Sequence, residues 1–112
     1  MMRDERVYLT HMIDAIRAVK RYLDNVPEAE FRSNEMLQDA VIRQIQVLGE
    51  ACKRLSAELK EEHADIPWRD IAGMRDKLVH DYFGVDVETV WLTARDDLPE
   101  LLERLEAIDR TM

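Results

Sequence analysis

An all-α fold is predicted by three features of this 112-residue chain. Apolar residues recur at helical spacing over most of its length, only three glycines and three prolines are present to make turns, and capping residues stand where the periodicity breaks. Together they predict an antiparallel up-and-down four-helix bundle with a short C-terminal fifth helix, in one domain spanning residues 1–112. No internal repeat, low-complexity stretch or linker interrupts it.

The elements follow in order. Leu9, Met12, Ile16, Val19 and Leu23 are spaced 3,4,3,4, which predicts a first helix from about Asp4 to Asn25, stopped before Pro27. Leu37, Val41, Ile45, Leu48, Cys52, Leu55 and Leu59 predict a longer second helix, with Ser33 or Asn34 capping its first free amides. Met36, Ala40, Val47 and Ala51 add a flanking apolar strip, so this helix is expected to be central and to pack on more than one neighbour. A third helix is expected from the cap Asp65 and first-turn Pro67 to a left-handed C-cap at Gly84. Asp86 then caps a fourth helix, with Val87, Val90, Trp91 and Ala94 facing inward. Pro99 either kinks it or starts the fifth helix through Leu101, Leu102, Leu105 and Ile108.

Composition excludes several functions. No apolar run approaches the roughly 20 residues that span a bilayer, and the start lacks a secretory apolar stretch, so a soluble, cytoplasmic protein with no membrane partner is expected. The lone Cys52 sits in an apolar stripe and reads as a core residue. The net charge of −8 argues against coating nucleic acid by bulk charge. The acidity is uneven: residues 86–110 carry eight acidic against three basic residues, while residues 67–82 balance at three each. His11, His63 and His80 lie far apart without the partner spacing of a metal site, and no glycine-rich phosphate loop is present. No cofactor is expected. Arg17, Lys20 and Arg21 form a basic cluster that reads first as a solvated helix face.

The string Arg75-Asp-Lys-Leu-Val-His80-Asp-Tyr82 holds the chemistry-bearing residues: a fixed cation, a group that exchanges protons near neutral pH, and a phenol open to modification. On a regular helix Arg75 and Tyr82 fall about 20° apart, whereas His80 points about 140° away from Arg75. Either the last turn distorts near His80, or the site needs the same motif from a second copy. An arginine among apolar residues needs an anionic partner or a cleft. The plain structural alternative pairs Arg75 with a carboxylate such as Glu50 and leaves His80 on a backbone carbonyl. Ala72 and Gly73 permit a close helix crossing or subunit contact beside it.

This pattern resembles the HEPN superfamily (higher eukaryotes and prokaryotes nucleotide-binding), and more narrowly the HepT toxins of HepT/MntA toxin–antitoxin pairs. The resemblance covers nearly the whole chain: Phe31, the IQVLGEACKRL segment from Ile45 to Leu55, IPWRDIAGMRDKLVHDYFGVD from Ile66 to Asp86, Trp91, and Leu98-Pro99. It implies an all-α homodimer acting as a metal-independent endoribonuclease on RNA. In that scheme Arg75 and His80 are the catalytic pair, Asp76 helps place them, and Tyr82 accepts AMP from an MntA-like nucleotidyltransferase antitoxin. One departure is Asp76, where many relatives carry Asn. Two other readings stand beside it: a non-catalytic nucleotide-binding or partner-binding subunit of a nucleotidyltransferase, and a plain helical adaptor whose motif is dimer packing.

Overall fold

Helix α1 (Arg3–Tyr22) in the computed structural model, which describes residues 3–80 and 84–112, forms as its periodicity demands. Leu9, Met12, Ile16 and Val19 are all buried along one face. The chain turns at Asn25, in the left-handed region at φ 59°, just ahead of Pro27. A short helix α2 (Glu28–Ser33) follows that periodicity does not predict, since Phe31 is the one large apolar residue in EAEFRS. That ring is fully buried, 5.3 Å from the Trp91 ring, and the Gln38 amide donates to the Phe31 and Arg32 carbonyls. Between the two expected caps, Asn34 is the one used. It accepts from Leu37 N at 3.0 Å and starts α3 (Glu35–Lys53).

Helix α3 ends at Lys53 rather than reaching Leu59. The amides of Arg54 and Leu55 close a tight turn onto the Ala51 and Cys52 carbonyls, and Ser56 caps a separate helix α4 (Ala57–Glu62). Glu5 of α1 holds this break by accepting from Ser56 N at 2.7 Å and Oγ at 2.9 Å. Leu55 and Leu59 are nonetheless buried, so the apolar spacing survives a change of chain direction. Helix α3 packs against α1 and α2 and, as expected of a central helix, against later elements too. Met36 departs from the predicted apolar strip, at 84% exposed.

The expected third helix is divided. Its first part, α5 (Trp68–Ala72), starts with Pro67 at the N-cap position, and Asp65 provides no cap but accepts from Arg104 of the C-terminal helix. Gly73, the poorest helix former after proline, breaks it from α6 (Met74–Leu78). Helix α6 stops at Leu78, where the β-branched Val79 is extended, not at Gly84. Two short antiparallel strands follow, β1 (Val79–His80) and β2 (Gly84–Val85), with Val79 opposite Val85 and His80 opposite Gly84. Gly84 has φ +79°, left-handed as the sequence requires, but it serves this strand pair and not a helix end.

Asp86 caps α7 (Val87–Leu92) by accepting from Thr89 N at 3.1 Å. The backbone then runs through a π turn (Thr93–Asp97) into α8 (Leu98–Thr111), so the expected fourth and fifth helices are one helical stretch. Pro99 has no N–H for the Arg95 carbonyl, and the turn widens just where that bond is missing. Helix α1 packs against α3 and α8, and α3 against α5, α6 and α7. The fold is all-α around one continuous core, and the strand pair projects His80 from its edge.

Candidate active site

Arg75 lies on α6, a helix pinned by Leu78, with Ile71 of α5 also buried just upstream. Its side chain is 41% exposed, and Nη1 stands 3.4 Å from Asp76 Oδ1. That long, solvent-facing pair contributes little to stability. Glu50, the carboxylate the sequence offers as a partner, lies 3.9 Å from Lys53 instead. The Arg75 Nε is buried and has no hydrogen-bond partner among the described residues. Among the described residues one N–H of the guanidinium therefore lacks an acceptor, an expensive arrangement for a buried donor.

His80 is exposed on β1. Because the helix ends at Leu78, the 140° divergence expected of a regular helix does not apply to His80. Gly84 directly opposite has no side chain to cover the imidazole. Asp86, two residues beyond Gly84, gives its amide to the Leu78 carbonyl at 2.9 Å. Hydrogen bonds from Thr89 hold the Asp86 carboxyl below the usual aspartate range, and the nearby His80 lowers it further by a smaller amount. The sequence marks Asp86 only as a cap. Its place beside His80 comes from the strand pair, whose sequence signal is the β-branched pair Val79 and Val85. Tyr82 lies outside the described residues.

The remaining candidates resolve plainly. The thiol of Cys52 is fully buried, its Sγ is 3.4 Å from the Trp68 carbonyl, and burial pushes its pKa up, so it is no nucleophile. Arg17 pairs with Glu106 at 2.6 Å across α1 and α8. His11 is exposed and His63 half-buried. Among the described residues no three metal-binding side chains cluster, and no helix is long and apolar enough to cross a membrane. Two clefts among the described residues lie elsewhere: about 470 Å³ between α5 and α8, lined by Ile71, Met74, Leu98 and Leu101, and about 420 Å³ between α1 and α3. Neither is lined by Arg75 or His80.

Residues 12–108 match the family described as Ribonuclease HepT-like. Over 105 residues, 94% of this chain, it is 40% identical to a protein of Methanocaldococcus jannaschii named "gamma-glutamylcyclotransferase and putative RNase", and it spans 47% of that longer protein. It is 38% identical to a "probable ribonuclease HepT" of Thermococcus cleftensis, covering 96% of this chain and 98% of that one. No solved structure matches it. The string from Arg75 to His80 thus sits in a sequence whose resemblance extends from α1 to α8, and the chain belongs to the ribonuclease HepT-like family of the HEPN superfamily.

Proposed function

We propose that the chain is the toxin of a toxin–antitoxin pair: a metal-independent endoribonuclease that acts as a homodimer and is silenced when a nucleotidyltransferase antitoxin adenylylates Tyr82. The observation that carries this reading is the Arg75 guanidinium, half-exposed with an N–H that finds no acceptor among the described residues, five residues from an exposed His80. Family membership and the names of the two relatives support the same activity.

RNA supplies its own nucleophile. The 2′-hydroxyl attacks the adjacent phosphorus, its proton passes to a base, and the 5′-oxygen leaves with a proton from an acid. His80 suits either proton transfer, because an imidazole nitrogen can accept a proton or donate one. Arg75 presents a planar fork to two non-bridging oxygens and counters the charge that grows on them. Asp76 stands beside that fork, 3.4 Å from Nη1, where the placing role that the resemblance gives it would act. The products are a 2′,3′-cyclic phosphate and a 5′-hydroxyl.

Purified protein is expected to cut RNA in EDTA, and His80→Ala to slow cleavage by at least about 100-fold. Arg75→Lys should also be strongly impaired, since a point charge cannot replace the fork. Cleavage unchanged by His80→Ala would overturn the mechanism. On co-expression with a nucleotidyltransferase, intact mass should rise by whole AMP units and Tyr82→Phe should abolish the rise. A shift that survives this substitution refutes Tyr82 as acceptor. The net charge of −8 favours the rival reading, a non-catalytic nucleotide-binding subunit. Arg75-dependent nucleotide binding without RNA cleavage would establish that rival.

A further inference from the structure

The seam between α1 and α3 carries a charge opposite to that of the whole molecule. Arg43 and Arg54 line its wider cleft together with Tyr8 and His11, against the single carboxylate of Glu50. A neighbouring cleft of about 300 Å³ shares His11 and Val47 with the first and adds Arg21, Tyr22 and Asp14. The shared walls join the two into one furrow. From Gln44 to Arg54 it follows about 15 Å of helix, room for a few nucleotides. Arg21, Arg43 and Arg54 are all exposed, and none forms an ion pair among the described residues.

Its chemistry fits a single strand. The Arg54 guanidinium lies 5.8 Å above the Tyr8 ring, and the His11 ring meets Tyr8 edge-on at 6.1 Å. The Tyr8 ring is an aromatic surface on which a base can stack beside the Arg54 guanidinium, flanked by cations spaced along a helix for phosphates. The cleft between α5 and α8 is lined by Asp65, Asp70, Asp97 and Glu100 against Arg104 alone, and it repels a polyanion. The furrow also abuts the motif's support. Gly49, next to Glu50 on α3, meets the backbone of α5, so an ideal Cβ there would stand 3.1 Å from the Ala72 carbonyl oxygen.

We propose that the furrow between α1 and α3 binds single-stranded RNA, with Arg43 and Arg54 on its phosphates and a base stacked at Tyr8. The inference rests on the ribonuclease reading and adds where the substrate lies.

The test measures fluorescence anisotropy of a short fluorescein-labelled single-stranded RNA on the full chain carrying His80→Ala, so that the probe survives. In that background Arg43→Glu with Arg54→Glu is expected to weaken binding at least tenfold. Their milder Gln counterparts should lower the slope of log affinity against log salt by about 1.4, the loss of two phosphate contacts. Tyr8→Ala should weaken binding without changing that slope. Arg110→Glu, which changes the charge as much as the Gln pair but on α8, should have little effect. Unchanged affinity and slope in the double variants overturn the proposal. So does a shift in sedimentation that accounts for the loss, which would make the furrow a protein contact. Cleavage by the otherwise native chain separates the two readings. Cutting with KM unmoved by the arginine changes rejects the furrow alone, whereas furrow-dependent binding with no cutting rejects the ribonuclease alone.

Discussion

A Cβ built at Gly49 would meet the carbonyl oxygens of Ala72 at 3.1 Å and Ile71 at 3.3 Å, and neither backbone atom can swing aside as a side chain would. A β-branched residue there must push α5 away from α3. Gly49→Val is therefore expected to destabilise the fold by about 1–3 kcal/mol, read from urea unfolding. Because α5 leads into α6, the same change should lower RNA cleavage beyond what the unfolded fraction explains. The sequence shows this glycine only as an oddity inside a helical stripe, since the close approach depends on a crossing that periodicity does not describe. Cys52, by contrast, is legible in full, because a free thiol in a continuous apolar stripe has nowhere to go but the core. Arg75 falls between them. Its need for an anion or a cleft follows from its apolar neighbours, but the choice of Asp76 over Glu50 depends on how α6 is set after the break at Gly73.

Elements built on long stripes, α1 and most of α3, were readable because each buried face repeats for several turns. Those that escaped are short. Helix α2 buries a single ring, and the break after Lys53 is held by Glu5, a residue about fifty positions away that no local pattern can announce. The division of the third helix matters most, since it changes the geometry of the candidate site from one continuous helix to a helix followed by a strand pair. Asp86 ties that strand pair to α7, and its lowered pKa makes the tie pH-dependent. Folding favours the ionised carboxylate, so its contribution is complete above the unfolded value of about 3.9 and disappears as pH falls through the lower folded value. Asp86→Asn keeps a side-chain acceptor for Thr89 N without titrating. Its melting temperature should fall less steeply than that of the native protein in scans from neutral pH down to about pH 3. Parallel curves would show that the cap does not contribute to acid stability.

At the scale of the whole molecule, helix content and a single core were evident from spacing, and the charge asymmetry was countable, but the assembly was not. The helix ending at Leu78 frees Arg75 and His80 from fixed divergence, and the clefts between α5 and α8 and between α1 and α3 are lined by neither residue. Under the proposed homodimer, a second copy related by a two-fold axis would add a further wall to a phosphodiester site together with the same two residues. If Arg75 of one protomer works with His80 of the other, the inactive variants Arg75→Ala and His80→Ala should complement each other. In a heterodimer of the two, one site keeps both residues and the other has neither. Random exchange of equal amounts makes half the dimers mixed, so activity should recover to about a quarter of the native value. The measurement is RNA cleavage in EDTA after co-refolding the two variants, with each variant refolded alone as the baseline. Sedimentation confirms that dimers have formed. No recovery from a dimeric mixture would place Arg75 and His80 of one site on the same chain, and the partner would then supply only the surrounding wall.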